Sequence, residues 1–116
     1  MEINYSHTFN NIPNEVVWQT IQNPEVLQKV LPGCKVFEEV GADKYHSVLG
    51  INIGPIKGEF TAEVEQVDKN EPNSYRLLVK AKGKPGEIDA DALMEFKASE
   101  GNTEIICTAD VTPSGL

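Results

Sequence analysis

The stretch IKGEFTAEVE at residues 56–65 alternates without a break. Ile56, Gly58, Phe60, Ala62 and Val64 take one side, and Lys57, Glu59, Thr61, Glu63 and Glu65 the other. A period of two is the signature of a strand with one dry and one wet face. The same period governs most of the chain. Tyr45, Ser47, Leu49, Ile51 and Ile53 run before this stretch and end at Gly54-Pro55. Tyr75, Leu77, Val79 and Ala81 follow a turn at Asn70–Asn73. Past Gly83–Gly86, the residues Ile88, Ala90, Ala92, Met94, Phe96 and Ala98 share a face. Past Gly101-Asn102, so do Ile105, Cys107, Ala109 and Val111. Nearer the start, Ile3, Tyr5, His7 and Phe9 form one dry side, while Val36, Glu38 and Val40 precede a Gly41-Ala42-Asp43 turn. Connections this short join antiparallel neighbours.

One region breaks the period. In NNIPNEVVWQTIQ, Pro13 stands near a first helical turn, Glu15 lies in that turn, and Val17, Trp18 and Ile21 recur at helical spacing. Asn23 then reads as an N-cap and Pro24 as the first residue of a second short helix. Val26, Leu27, Val30 and Leu31 form its buried stripe, and Pro32-Gly33 stops it. The predicted class is α+β: residues 1–116 as a single domain, an antiparallel sheet of about seven strands with two short helices after the first.

A dry sheet face must lie on something. Two short helices can cover only one end of it, and the chain runs out at Thr112-Pro113-Ser114-Gly115-Leu116 with no long amphipathic helix left. Ile51, Phe60, Val79, Met94 and Ile105 are therefore expected to leave part of the inner face open. The exposed area would be roughly 600 Å², at or beyond the largest apolar patch a monomer usually shows. A second copy, a partner's helix or a ligand should cover it, with a homodimer as the preferred arrangement.

Charge narrows the partners. The formal net charge is −8, and the cations Lys80, Lys82 and Lys84 are spaced rather than clustered, which excludes nucleic acid as a default partner. No apolar run is long enough to span a bilayer and the start is unlike a signal peptide, so the chain reads as cytoplasmic. Cys34 and Cys107 are far apart, with no CxxC and no neighbouring His pair, and predict neither a disulfide framework nor a metal site.

No catalytic order or cofactor fingerprint is present, and Gly50, Gly54 and Gly58 are wrongly spaced for a dinucleotide loop. Asp89 and Asp91, with Glu59, Glu63 and Glu65, fall on a wet face that cannot separate their acidities for acid–base work, and His46 shares a face with Lys44 and Asn52. His7 is the one ionisable residue that alternation puts among apolar neighbours, and an ordinary satisfied histidine is the simpler reading of it. The candidate lining of a ligand cavity is Tyr5, His7, Ile51, Phe60, Ala62, Tyr75, Leu77, Val79, Ala92, Met94, Phe96 and Ile105. The competing reading is a packed core. The small residues Ala62, Ala81, Ala90 and Ala92 favour a cavity, because aromatic neighbours alone do not fill the volume beside them. Trp18 reads as a wedge between the first helix and the sheet.

The segment VVWQTIQNPEVLQKVLPGCKVFEEVGADKYHSVLGINIGPIKGEF resembles the carbon monoxide dehydrogenase G-subunit family, within the START-like, Bet v 1-like helix-grip proteins. The matching features are Trp18, Asn23-Pro24-Glu25, Leu31-Pro32-Gly33-Cys34, Gly54-Pro55-Ile56-Lys57 followed by Phe60, and Ser74-Tyr75. The resemblance runs from about residue 2 to residue 111. It implies a curved sheet gripping a C-terminal helix over an apolar cavity, although that helix is missing from the sequence. It also implies an accessory role beside carbon monoxide dehydrogenase or related molybdenum hydroxylases. The expected ligand is a lipophilic small molecule, quinone- or lipid-like, without a resident cofactor, and membrane recruitment would come through partners. The rivals are a cyclase- or dehydratase-like enzyme using the same cavity, and a structural module whose apolar face is an interface.

Overall fold

Every turn anticipated from the alternating runs joins two neighbouring strands. The computed structural model describes residues 1–54 and 56–114. Pro55 and Gly115-Leu116 lie outside the described residues, as does the side chain of Ile53. The order is β1 (Glu2–Phe9), α1 (Asn14–Ile21), α2 (Pro24–Val30), β2 (Cys34–Gly41), β3 (Lys44–Ile53), β4 (Ile56–Asn70), β5 (Ser74–Gly83), β6 (Gly86–Ser99) and β7 (Asn102–Ser114). All seven strands form one open antiparallel sheet in the order β1-β7-β6-β5-β4-β3-β2. The first and last strands pair, with Tyr5 opposite Cys107 and Ile3 opposite Ala109. β7 is thus an interior strand, and β1 and β2 are the two edges.

Alternation fixes the faces as expected on β4, where Phe60, Ala62 and Val64 are buried and Thr61 and Glu63 exposed. On β2 it misleads. Val40 is 61% exposed, and Phe37, opposite Ser47, carries the inner face instead. Register shifts at Cys34/Val36 and Glu39/Gly41 reset the phase of that strand, as bulges do.

The two helices begin where the sequence indicates. Asn23 caps α2 by accepting from the Glu25 amide at 3.0 Å. The entry to α1 is tied down from far along the chain. The Thr103 hydroxyl donates to Ile12 O at 2.6 Å and contacts Asn14 Oδ1 at 2.9 Å, while Asn14 Nδ2 donates to Phe96 O at 3.1 Å. This clamp lays Val17, Trp18 and Ile21 onto one end of the sheet. Trp18 stands edge-on to Tyr75 at 5.5 Å and tilted to Phe96 at 5.3 Å, so it wedges the helix as anticipated.

At the far end of α2, Gly33 turns the chain into β2 with φ +74° and accepts from the Gly50 amide at 2.7 Å. A Cβ at this position would collide with the Gly50 carbonyl. The Leu31-Pro32-Gly33-Cys34 run therefore has a physical reason: only glycine lets the corner sit directly on β3.

Candidate functional site

α1 covers one end of the inner face and leaves a trough along the other. The trough runs over β5–β7 and is closed at its side by Leu31-Pro32 after α2 and by Leu49 and Ile51 on β3. Its volume is about 190 Å³. Small side chains make the space. Val79 sits opposite Ala90 and Ala90 opposite Val111; on the next row Leu77 faces Ala92, which faces Ala109. All six line the trough. Leucines at the alanine positions would fill it.

Of the anticipated lining residues, Ile51, Leu77, Val79 and Ala92 meet in this trough. The other eight lie elsewhere. Phe60 and Ala62 are packed into the core at 0% and 1% exposure. Tyr75, Met94, Phe96 and Ile105 are buried in the same core, Tyr75 and Phe96 directly against Trp18 of α1. Phe60, Met94 and Ile105 were expected to face open water, and the structure corrects this. Tyr5 lies half-buried beside the edge of the sheet. His7 is exposed, contrary to its apolar alternation, because β1 is an edge strand, and its ring stands edge-on to Phe9 at 4.8 Å. A face assignment is thus not a burial assignment. Among the lining residues that sequence reasoning missed are Ile3, Phe37, Ser47, Ile56, Ala109 and Val111. For Ala109 and Val111 the signal was present, since both continue the alternation of β7.

The polar groups near the trough are few and already engaged or neutral. The Ser47 hydroxyl donates to Val36 O at 2.8 Å. Burial pushes the Cys107 thiol above its ordinary range, and burial raises Cys34 too, against the lowering effect of Ser47 and the Val36 carbonyl. Neither is an activated thiolate. Among the described residues no three His, Cys, Asp or Glu side chains come together to hold a metal ion. The acidic outer face is engaged in exposed pairs instead: Lys35 with Glu59 at 2.7 Å, Arg76 with Asp91 at 3.0 Å, and His46 Nδ1 with Glu63 at 3.2 Å.

Tyr75 and Tyr45 are both held neutral beyond the usual phenol range, chiefly by burial. The consequence is alkaline sensitivity. A raised acid binds its proton more tightly in the folded state, so its contribution is intact below the unfolded value and is lost as pH rises above it. Unfolding free energy should hold level through neutral pH, begin to fall above about pH 9 as the two buried thiols lose their contribution, and fall by a further roughly 1.4 kcal/mol per pH unit for Tyr75 above about pH 10. Urea titrations at stepped pH check this, and Tyr75→Phe should flatten the slope.

The family model for the G subunit of carbon monoxide dehydrogenase (CoxG) matches residues 10–116. A conserved protein from Geobacillus kaustophilus is 31% identical and superposes with a TM-score of 0.79, over 99% of this chain and 76% of that one. A protein from Chromobacterium violaceum shares 14% identity at a TM-score of 0.71, covering 99% and 82%. One from Deinococcus radiodurans shares 12% at 0.69, covering 96% and 83%; these two speak for the fold alone. No curated protein matches the sequence. The family match and the Geobacillus kaustophilus relative together place the chain: it belongs to the CoxG family of carbon monoxide dehydrogenase proteins.

Proposed function

We propose that this protein is a non-enzymatic accessory protein that holds a lipophilic small molecule, quinone- or lipid-like, in the trough. Its partner would be a carbon monoxide dehydrogenase-type molybdenum hydroxylase, as the family name suggests. The observation that carries the reading is the trough itself: about 190 Å³ walled mainly by alanine and by the branched side chains of isoleucine, leucine and valine. Binding sites for apolar molecules are concave, mostly apolar and largely preformed. An enzyme would need a convergent acid and base there. Ser47 is committed to a backbone carbonyl and Cys107 is held as a thiol. No helix among the described residues is long and apolar enough to cross a membrane, and a net charge of −8 opposes adsorption to anionic lipid. Any approach to a membrane would therefore run through the partner.

Thermal denaturation with a panel of lipophiles tests the reading. At a free concentration of 100 times Kd, a ligand adds about 2.7 kcal/mol, which raises Tm by about 10 °C or more in a domain of this size. Ala90→Leu should keep the fold and abolish the shift. Ala62→Leu should behave differently, because Ala62 is 1% exposed in packed core: it should cost about 1–3 kcal/mol of stability without blocking the trough. Sedimentation separates a ligand from a second copy as the cover, since ligand should leave the mass of the particle unchanged. An unchanged Tm across the panel overturns the proposal.

A further inference from the structure

Three buried side-chain polar groups have no partner among the described residues: Gln22 Nε2, the Tyr75 hydroxyl and the side-chain oxygen of Gln66, and the last two belong to residues packed in the core beside Leu77 of the trough wall. Tyr75 is 0% exposed and Gln66 4%. Gln66 Nε2 reaches the Tyr45 hydroxyl at 3.3 Å, which leaves Oε1 free to accept. The register brings the two groups together. Gln66 lies directly across from Leu77, and Tyr75 lies two residues before Leu77 on the same face. Such diagonal neighbours are about 7–8 Å apart at the backbone, within reach of long side chains. Leu77 is part of the trough wall. The Tyr75 row continues through Met94 to Cys107, which also lines the trough.

A buried donor and a buried acceptor left unpaired are each costly, and packing does not require either of them. Phenylalanine would fill the place of Tyr75 and methionine that of Gln66. We propose that this pair receives the hydroxyl head group of an aromatic or alcoholic ligand whose apolar body lies in the trough. Tyr75 donates to the head oxygen, and Gln66 Oε1 accepts the head proton. One hydroxyl satisfies both groups. An ether or ketone satisfies only Tyr75, and a hydrocarbon satisfies neither. The volume fits, since a dry cavity of about 150 Å³ accepts benzene and the trough is slightly larger and open at one side. The inference rests on the lipophile-binding reading above and adds to it the chemistry of the head.

Calorimetric titration with 4-pentylphenol, 4-pentylanisole and pentylbenzene tests it. Trp18, the single tryptophan, stands 5.5 Å from Tyr75 and reports occupancy of the inner end through its emission. The phenol should bind about tenfold tighter than the anisole, as one net hydrogen bond allows, and tighter still than pentylbenzene. Tyr75→Phe and Gln66→Met should each weaken the phenol about tenfold while leaving pentylbenzene affinity unchanged. If Gln66→Met fails to fold, Tyr75→Phe alone decides, because it removes only an unpaired oxygen and should not lower Tm. Equal affinity for phenol and anisole overturns the hydroxyl assignment, as does a phenol preference that survives Tyr75→Phe. Equal affinity for all three overturns the head-group site and leaves lipophile binding standing. No binding of any probe overturns both.

Discussion

Trp18→Ala should lower the unfolding free energy by about 3–5 kcal/mol, the usual cost of removing a buried large aromatic side chain. Trp18 is 4% exposed and stacks against two rings, Tyr75 and Phe96, that belong to neighbouring strands. No nearby side chain can collapse into the space, because the Asn14–Thr103–Phe96 clamp holds α1 at its height above the sheet. A domain of this size typically loses about 4–8 °C of Tm per kcal/mol, so the variant should melt roughly 15–30 °C lower. Trp18→Phe should recover about half of the loss, since a smaller ring leaves a smaller cavity. Chemical denaturation with a far-ultraviolet readout measures both variants. A loss below about 1 kcal/mol would mean that α1 is not held by this wedge, and the trough would then lack the wall that ends it.

Gly33→Ala is the second large effect. The residue sits at φ +74°, and a side chain there would strike the Gly50 carbonyl. The left-handed conformation by itself costs a non-glycine residue about 1–2 kcal/mol. Moving the corner away from β3 would also weaken the Gly50 N–H to Gly33 O bond, a net loss of about 1 kcal/mol. The expected sum is about 3 kcal/mol. Gly101→Ala separates the two causes. Gly101 has φ +81° but open space around its Cα, so it should lose only the conformational part, about 1–2 kcal/mol. Equal losses in the two variants would show that the close approach to β3 contributes nothing. Because Leu31-Pro32 forms one side of the trough, Gly33→Ala should also weaken lipophile binding, whereas Gly101→Ala should not.

The open side of the sheet is narrower than the pattern of alternating residues suggests. A count of inward-facing side chains treats the whole dry face as uncovered. Among the described residues the large exposed hydrophobics are Met1, Val16, Val40 and Leu78, scattered rather than gathered on the trough. The reason lies in how a curved sheet meets a helix. α1 lies over Tyr75 and Phe96, while Phe60, Met94 and Ile105 are packed into the core, and Ala81, Ala90, Ala92 and Ala109 leave little side-chain surface in the open part.

Period-two alternation, glycine and proline turns, the Asn23 cap and the Trp18 and Pro-Gly-Cys motifs are local features. They suffice for the hairpin neighbours from β2 to β7, the two helices, the inward faces of β4 to β7 and the family, but not for the pairing of β1 with β7. Each depends on residues within a few positions of one another, and short connections then dictate antiparallel neighbours. Three things depended on contacts across the whole chain. Which rows of the dry face lie under a helix follows from Thr103 gripping Ile12 and Asn14, 91 and 89 residues away. Whether His7 is buried follows from β1 lying at an edge, which no window of sequence around His7 can reveal. The diagonal placement of Tyr75 and Gln66 across Leu77 follows from the β4–β5 register, in which one strand carries the unpaired donor and the other the unpaired acceptor. Alternation says which way a side chain faces. Only the tertiary structure decides what stands in front of it.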